Sequence, residues 1–214
     1  LGGTKEARLL ADRSFSQFNK NLFVLTSLAG TTKNPARISG SLRLGGFGGT
    51  SGLKKFLHKN SFDFLIDATH PFASRISLHA EKACNDLKVK RLILKRPAWK
   101  VEPKDKWVTV GNLRAAARLL PSFGRICFLS VGTKSLEPFS KISNIYFVVR
   151  TMESLETPLP LIKYEIIMSP PPFESNQDTL LMKKKGIDII VAKNSGGDSA
   201  YSKIIAARNL AIPV

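Results

Sequence analysis

Short apolar runs alternate with amphipathic stretches along most of this chain. Eight apolar runs predict strands, at residues 22–28, 62–66, 90–94, 107–110, 125–131, 145–149, 164–168 and 187–192. Apolar residues at helical spacing predict helices at about 5–18, 51–58, 72–86, 112–120, 175–185 and 199–209. Because strands that alternate with helices build mostly parallel sheets, the pattern predicts an α/β fold.

One segment breaks the alternation. Residues 96–103, which read Arg-Pro-Ala-Trp-Lys-Val-Glu-Pro, predict a hinge. At 214 residues the chain is longer than a typical single domain. We therefore expect two Rossmann-like domains, residues 1–97 and 98–214, with an interdomain cleft. The first residues resemble the end of a strand and residues 211–214 the start of another, so we expect both ends to be clipped.

Polar residues follow the strand predicted at 62–66 and offer candidate chemistry. The stretch reads Ile66-Asp67-Ala68-Thr69-His70-Pro71-Phe72-Ala73. We expect Thr69 or His70 to be the N-cap of the next helix, with Pro71 in its first turn. Open α/β sheets bind ligands at the carboxyl ends of their strands, so Thr69 and His70 are candidate site residues. The alternative is a purely structural strand-to-helix turn.

Two turns near the N-terminus predict a nucleotide site. The residues are Gly2, Gly3 and Thr4 in the first turn and Ser27, Gly30 and Thr31 in the second. The first turn opens a predicted helix, whose N–H groups and dipole favour a phosphate. The second ends a strand where a Rossmann unit reads the adenosine ribose or its 2′-phosphate. Since the first turn is not G-x-G-x-x-G, a simple tight turn and an ordinary polar loop stay open as alternatives.

Two further clusters have the composition of ligand-binding loops. The first is Arg43 with Gly45, Gly46, Phe47, Gly48 and Gly49, and the second is Lys193, Asn194, Ser195, Gly196 and Gly197, followed by Lys203. Glycines around one aromatic ring imply close backbone approach to a flat or anionic ligand. A cation, an amide, a hydroxyl and glycines at a strand end make an anion-binding nest. The alternatives are a flexible turn and a structural glycine turn.

The net charge of +17, from 33 Lys and Arg against 16 Asp and Glu, favours a polyanionic partner. The basic residues are dispersed, with no dense tract beyond residues 183–185 and no recognisable nucleic-acid module. A solvated, lysine-rich surface accounts for much of the excess charge and a polycarboxylate substrate is compatible with the rest, so we expect no nucleic acid. No apolar run is long enough to span a bilayer and no signal segment opens the chain, so we expect no membrane association and a cytoplasmic location.

The sequence lacks the usual signatures of metal or nucleophilic catalysis. No two histidines have zinc spacing, no serine lies in a nucleophile elbow, and no Cys–His pairing is suggested by position. Cys84 and Cys127 are expected to be reduced, buried thiols, and we expect no metal site. These absences favour cofactor chemistry, in which the protein mainly binds and orients.

The clusters occur in an order that resembles the precorrin-6A reductase family of cobalamin biosynthesis, which includes the cobalt-precorrin-6A reductases. The matching stretches are Leu1-Gly2-Gly3-Thr4-Lys5-Glu6-Ala7, Ser27-Leu28-Ala29-Gly30, Arg43-Leu44-Gly45-Gly46-Phe47-Gly48-Gly49, residues 66–73, Arg96-Pro97-Ala98-Trp99, Lys193-Asn194-Ser195-Gly196-Gly197, and Lys203-Ile204 with Ala206-Ala207-Arg208. Each stretch is a weak signal alone, but the ordered set spans nearly the whole chain and is specific.

The resemblance implies an oxidoreductase acting on a CH–CH group, which uses NADPH, with NADH as the alternative, to reduce precorrin-6A or cobalt-precorrin-6A. In such a reductase we expect the cofactor pyrophosphate at residues 2–4 and its adenosine end near Ser27, Gly30 and Thr31. We expect the nicotinamide near residues 43–49 and Thr69. His70 is the candidate catalytic residue, as a hydrogen-bonding partner of the substrate rather than an obligatory proton donor. Substrate carboxylates are expected to bind three cations, Arg96, Lys193 and Lys203, together with the polar loop at residues 194–197.

Two departures from the family pattern bear on this function. The family usually has Arg after Ser-Leu-Ala-Gly, where this chain has Thr31, so discrimination between NADPH and NADH is expected to be modest. It tends to show Arg-Gly-Pro-Phe where this chain has Pro170-Pro171-Pro172-Phe173, which removes a cation and stiffens the loop. That second change is expected to alter substrate affinity or loop closure.

Two other functions are compatible with the sequence. One is a reductase of the same architecture that acts on another anionic substrate, which would not oxidise its cofactor in the presence of precorrin-6A. The other is a non-enzymatic polyanion-binding protein, which would bind DNA or RNA with a steep salt dependence and have no saturable nicotinamide site.

Overall fold

The computed structural model describes residues 1–18, 21–30, 35–169 and 172–214, which form two compact units, Leu1–Arg96 and Pro97–Val214. The first unit contains helices α1 (Lys5–Phe18), α2 (Gly49–Lys59) and α3 (Ser74–Leu87), with strands β1 (Leu25–Leu28), β2 (Ser41–Leu44), β3 (Phe64–Asp67) and β4 (Lys90–Ile93). The second contains helices α4 (Leu113–Leu119), α5 (Ser175–Lys185) and α6 (Ser202–Asn209), with strands β5 (Ile126–Ser130), β6 (Tyr146–Thr151), β7 (Tyr164–Met168) and β8 (Ile189–Ala192).

Leu1 and Gly2 join the two strand pairs of the first unit. β1 pairs with β2 and β3 pairs with β4, both in parallel. The Gly2 N–H donates to the Ser27 carbonyl in β1 (2.9 Å), and the Ala68 N–H, just after β3, donates to the Leu1 carbonyl (3.0 Å). The backbone order is therefore β2, β1, Leu1 and Gly2, β3, β4. Parallel strands place all their carboxyl ends at one edge, and the N-terminus of α1 lies there.

The core of the first unit lies where α2 and α3 pack together. Leu53 and Leu57 on α2 meet Ala80, Ala83 and Cys84 on α3, and all five side chains are buried. Each set recurs at helical spacing, so each helix turns one apolar face inward. Small residues on α3 let the two helices approach closely.

The second unit is built on one parallel sheet with strand order β7-β6-β5-β8. Its strands are apolar on both faces: Cys127, Leu129, Phe147 and Val149 belong to one buried cluster, whereas Phe128, Val148 and Ile190 belong to another. Alternate side chains of a strand point to opposite faces, so this pattern is that of a sheet covered on both sides. The carboxylate of Asp188 accepts from the N–H groups of Arg125 (2.8 Å) and Ile126 (2.9 Å) and fixes where β5 begins.

The predicted α/β class with mostly parallel strands is confirmed, and Cys84 and Cys127 are free and buried. The strand predicted at 107–110 is wrong. Its neighbourhood instead exchanges two backbone bonds, from the Val108 N–H to the Val214 carbonyl and from the Val214 N–H to the Lys106 carbonyl (both 2.9 Å). Both bonds involve the single residue Val214, so the contact is too short to form a strand.

Strand β2 was not expected from the sequence. It has only four residues, Ser-Leu-Arg-Leu, and its apolar side chains are partly solvent-exposed at the edge of the sheet. So short an alternation carries little signal beside the glycines that follow it. Among the described residues, no helix has the length and apolarity needed to cross a membrane.

Candidate functional site

The turn at residues 2–4 meets the carboxyl edge of the first unit's strands. Thr4 is the N-cap of α1: its hydroxyl accepts from the Ala7 N–H (3.1 Å) and donates to the Ala68 carbonyl (2.8 Å). Gly3 has a φ of 109°, which favours glycine, and a Cβ there would meet no atom within 4 Å. The turn therefore offers open space beside the first N–H groups of a helix, which suits an anion.

The loop after β1 packs against the glycine loop (residues 45–49). Gly30 has a φ of 74°, and a Cβ there would lie 3.3 Å from the Gly45 nitrogen, so the two backbones touch. The Gly45 N–H donates to the Leu28 carbonyl (2.9 Å). Ser27 is buried, and its hydroxyl accepts from Arg43 (3.3 Å) rather than facing outward. Thr31, predicted to lie at the adenosine end, is outside the described residues, as are Pro170 and Pro171.

Arg43 holds the glycine loop in place. Its guanidinium donates to the carbonyl groups of Gly45 and Gly46 and stacks over the Phe47 ring, 4.0 Å from its centre. Phe47 in turn packs on Phe56 of α2, with ring centres 5.2 Å apart. Arg43 and Phe47 thus support the loop from within the unit, a role that the sequence did not suggest.

The glycines of this loop differ in backbone conformation and in the space around them. Gly45 and Gly48 have φ values of 103° and 79°, whereas Gly46 has no such left-handed backbone, and a Cβ on any of the three would meet nothing within 4 Å. Gly49 (φ 81°) is the first residue of α2, which begins earlier than predicted. Gly52, which the sequence analysis missed, passes so close that its Cβ would lie 1.6 Å from the Phe47 carbonyl oxygen. The loop is therefore held against α2 with its outer side open.

A cleft of about 270 Å³ lies beyond the carboxyl end of β3. It brings together three predicted site residues, Thr69, His70 and Arg96, with residues the sequence analysis had not assigned to a site: Asp67, Pro71, Ser77, Ile93, Leu94 and Lys95. Arg96 is also ion-paired with Glu6 of α1 (3.1 Å). The cleft thus has an acidic corner at the end of β3 and a cationic wall after β4.

The predicted cap of the helix after β3 is wrong. α3 begins at Ser74 with Ala73 as its N-cap, and Thr69 and His70 lie before it. The Ala73 N–H donates to the His70 carbonyl (2.7 Å), which closes a turn with Pro71 in its second position, where proline's fixed φ is favoured. The Phe72 N–H donates to His70 Nδ1 (3.2 Å), so the neutral ring carries its proton on Nε2.

Asp67 anchors the acidic corner of the cleft. It is buried, and its Oδ1 accepts from the Thr69 N–H (3.2 Å) and the Thr69 hydroxyl (2.7 Å). Burial alone would raise the pKa of this carboxyl, but the nearby hydroxyls of Ser77 and Thr69 and the Thr69 N–H hold it below its ordinary value. A polar residue that ends an apolar strand was the available sequence signal.

In the second unit, the loop of residues 193–197 is fastened to the start of the same unit. The Asn194 side chain accepts from the Trp99 N–H (2.7 Å) and donates to the Trp99 carbonyl (3.2 Å), and the Trp99 indole donates to the Gly197 carbonyl (2.7 Å). At Gly196 (φ 67°) a Cβ would lie 1.9 Å from the Pro97 oxygen. Ser195 is buried in this loop. Lys193 donates to the Ser135 hydroxyl (2.9 Å), and burial lowers its pKa.

Lys203 belongs to a buried charged cluster that the sequence analysis did not foresee. Its ammonium donates to the Ala200 carbonyl and lies 5.3 Å from the centre of a Trp99 ring. Arg150 of β6 pairs with Asp178 of α5, and both side chains are buried. Burial, and then the charge of Arg150, lower the pKa of Lys203 to about 8, with Asp178 acting in the opposite direction. Two cations against one carboxylate leave this buried cluster with an excess positive charge.

The comparisons with known proteins decide the family. The family model described as "Precorrin-6x reductase CbiJ/CobK" matches residues 1–214. The chain belongs to this reductase family. The resemblance that the sequence motifs indicated is thereby confirmed.

Individual relatives agree with the family model along the whole chain. A precorrin-6A reductase of a Sinorhizobium species is 39% identical over 214 residues, covering 100% of this chain and 81% of the relative. A precorrin-6A reductase of Rhodococcus erythropolis is 35% identical, with 100% and 85% covered. The solved structure of a CobK precorrin-6A reductase matches with a TM-score of 0.92 at 37% identity, over 100% of this chain and 84% of that one.

The described residues contain no cluster of three or more His, Cys, Asp or Glu side chains placed to hold a metal ion. The polar groups at the carboxyl edge of the first unit are backbone N–H groups, hydroxyls and the Asp67 carboxylate, with His70, Lys95 and Arg96 beside them in the cleft. Backbone N–H groups at the start of a helix favour an anionic group such as a phosphate.

Proposed function

We propose that this chain is a precorrin-6A reductase, which transfers hydride from NADPH to the macrocycle of precorrin-6A to give precorrin-6B in cobalamin biosynthesis. The full-length match to proteins named precorrin-6A reductase carries the proposal. Relatives with that name are 34–39% identical to this chain, whereas a cobalt-precorrin-6A reductase of Priestia megaterium is 25% identical. We therefore favour the cobalt-free ring as substrate. An enzyme that draws on the free NADPH pool is expected to work in the cytoplasm.

Residues 1–97 are proposed to be a Rossmann-like cofactor domain. The strand order of the first unit reverses at Leu1 and Gly2, which is where open α/β sheets bind dinucleotides. Open space outside Gly3, Gly45 and Gly46 gives room for a ligand pressed against the backbone. The pyrophosphate would rest on residues 2–4, and the adenosine end near Gly30 and Thr31.

A nicotinamide bound here would supply the hydride, so the chain's own residues would bind and orient the reactants. Arg43 and Phe47 hold the glycine loop rigid, and Thr4 ties the phosphate turn to the loop after β3. His70 is proposed to donate from Nε2 to the substrate. Holding the two reactants in a productive geometry supplies much of the rate enhancement in such a reaction.

Residues 98–214 are proposed to be a second Rossmann-like domain, which binds the polycarboxylate ring. The buried excess positive charge around Lys203 destabilises the folded protein when no anion is near, and a substrate carboxylate would offset this penalty. Lys193, half-buried beside Ser135, offers a second cation. In the first unit, Arg96 of the cleft beyond β3 is proposed to bind a substrate carboxylate.

The function is tested by mixing purified protein with precorrin-6A and following NADPH oxidation and the mass of the product. Parallel titrations with NADPH and NADH measure cofactor binding directly. A gain of two hydrogens by the ring, with equimolar NADPH consumed, is the expected result. Saturable NADPH binding without turnover of precorrin-6A would point to a different anionic substrate, and nucleic-acid binding without a nicotinamide site would contradict the proposal altogether.

Thr31→Arg is expected to tighten NADPH binding about tenfold while leaving NADH binding unchanged. A charge-assisted hydrogen bond to the 2′-phosphate contributes roughly 1.5–3 kcal/mol. Calorimetric titration of both nucleotides into both proteins checks this. If the wild-type protein already prefers NADPH a thousandfold, other residues read the phosphate and the placement of Thr31 is wrong.

Lys193→Ala is expected to raise the dissociation constant of precorrin-6A at least tenfold, with NADPH affinity kept within about twofold. Truncating one partner of a partly desolvated ion pair costs about 2–5 kcal/mol. Lys184→Ala, which removes an exposed lysine of α5, controls for the loss of one positive charge. Equal weakening of both ligands would assign residues 193–197 to the cofactor instead.

A further inference from the structure

The hydroxyl of Thr69 has a fixed hydrogen-bonding direction. It lines the cleft beyond β3 and lies 2.7 Å from Asp67 Oδ1. Asp67 is 3% exposed, and its carboxyl has a lowered pKa, so it is ionised near neutral pH. An ionised carboxylate only accepts hydrogen bonds, so the Thr69 hydroxyl must donate its one proton to the hydrogen bond with Asp67. Thr69 Oγ1 can therefore only accept any further hydrogen bond, which we call its acceptor capacity.

The described part of the chain does not use that acceptor capacity. Among the residues that the structure describes, none donates a hydrogen bond to Thr69 Oγ1. The same corner also repels acceptors, because the Asp67 charge lies directly behind the hydroxyl. A carboxylate or a phosphate is therefore disfavoured at Thr69, and a group that carries N–H donors is favoured.

We propose that Thr69 accepts a hydrogen bond from the amide N–H₂ of the nicotinamide carboxamide, with Asp67 as the positioning residue that fixes the hydroxyl as an acceptor. The inference rests on the proposed function, because it assumes a bound nicotinamide nucleotide. β3 lies on the opposite side of Leu1 and Gly2 from β1, so a dinucleotide whose adenosine half lies over β1 places its nicotinamide half here.

The other groups of the two ligands fit this corner less well. Tetrapyrrole carboxylates bring only acceptors, and they are attracted to Lys95 and Arg96 on the opposite wall. A ribose hydroxyl both donates and accepts, so a fixed acceptor would not select for it. The carboxamide N–H₂ only donates, which makes it the matching group.

The test uses two oxidised cofactor analogues that differ in this group. The 3-acetylpyridine analogue of NADP⁺ lacks the N–H₂ group, whereas the thionicotinamide analogue keeps it. In wild-type protein the acetylpyridine analogue is expected to bind about tenfold more weakly than NADP⁺, and the thionicotinamide analogue within about twofold. In Thr69→Val the tenfold difference should fall to about twofold, and Thr69→Ser should restore it. Binding is measured calorimetrically, so the differing reduction potentials of the analogues do not enter.

A second variant separates the positioning role of Asp67 from a structural one. The nicotinic acid analogue, with a carboxylate in place of the carboxamide, should bind wild-type protein at least tenfold more weakly than NADP⁺. Asp67→Asn removes the charge behind Thr69 and should recover at least fivefold of that loss. Thr179→Val, which removes a hydroxyl bonded to the Ser175 carbonyl in α5, is the matched control and should leave every ratio unchanged.

Three results would overturn the inference. The first is equal binding of NADP⁺ and its acetylpyridine analogue by wild-type protein. The second is a tenfold difference that persists in Thr69→Val, and the third is a carboxylate penalty that persists in Asp67→Asn. Each leaves the reductase function intact. A wild-type protein that binds no nicotinamide nucleotide would instead remove the proposed function, and the inference with it.

Discussion

Gly46→Val is expected to weaken nicotinamide-nucleotide binding about thirtyfold while barely changing the melting temperature. The backbone at Gly46 is not left-handed and a Cβ meets no atom within 4 Å, so the folded protein accepts a side chain. A ligand pressed against the loop does not. Overpacking by this amount costs roughly 2 kcal/mol, which corresponds to about thirtyfold in affinity. Calorimetric titration and thermal unfolding of the same preparation give both quantities.

Two other glycine variants make this result interpretable. Gly111→Val is the matched control, because Gly111 also lacks a left-handed backbone and also faces open space, but in the second unit. It should change neither property. Gly48→Val should impair both, since a φ of 79° strains any β-branched residue. If Gly46→Val binds the nucleotide as tightly as wild type, the glycine loop does not line the cofactor site.

Lys203→Met is expected to stabilise the protein by about 2 kcal/mol at pH 7 and to weaken precorrin-6A binding at least tenfold. Moving the lysine pKa from 10.5 to about 8 corresponds to roughly 3 kcal/mol, which the folded protein loses by burying the charge. Loss of the hydrogen bond to the Ala200 carbonyl offsets about 1 kcal/mol of the gain. Methionine has a similar length and fills the same space.

The pH dependence gives this prediction a sign that can be checked. Between pH 8 and pH 10.5 the unfolded lysine holds a proton that the folded one has released. Wild-type stability should therefore gain from Lys203 as the pH rises through this window. Lys203→Met lacks that gain, so its advantage of about 2 kcal/mol should vanish within this window and reverse near pH 10.5, where the wild type keeps its hydrogen bond to the Ala200 carbonyl.

Urea unfolding at several pH values measures both curves. A variant that is less stable than wild type at pH 7 would mean that Lys203 is a favourable part of the Arg150–Asp178 cluster. A variant that is more stable and binds precorrin-6A normally would confirm that burying the Lys203 charge destabilises the wild type. It would contradict a substrate role for this lysine.

Patterns that repeat along the chain predicted the fold well. The apolar runs of β5, β6 and β8 are buried on both faces, and such runs stand out in any sequence. The strand-end polar cluster at Thr69 and His70 was predicted for the same reason, because an abrupt change from apolar to polar marks the edge of a sheet. β2 was missed since four exposed edge residues produce no such contrast.

Contacts between distant residues were beyond sequence reasoning. Arg43 was expected beside a ligand, but its donors are directed at Gly45 and Gly46 within its own loop. The pairing of Arg150 with Asp178 joins a strand to a helix far along the chain. A single sequence shows that a charge is present, but only the fold shows which group shares its surroundings.

The position of β8 in its sheet sets the order in which the chain can fold during synthesis. The described strands of the first unit have all been made once β4 has emerged from the ribosome. The second cannot finish its sheet until β8 arrives, because β5 pairs with a strand whose flanking residue, Asp188, lies 62 positions after Ile126. At ribosomal speeds this interval lasts on the order of ten seconds. During that time Phe128 and Val148 lack part of their final cover, which makes the newly made second half the aggregation-prone part of the molecule.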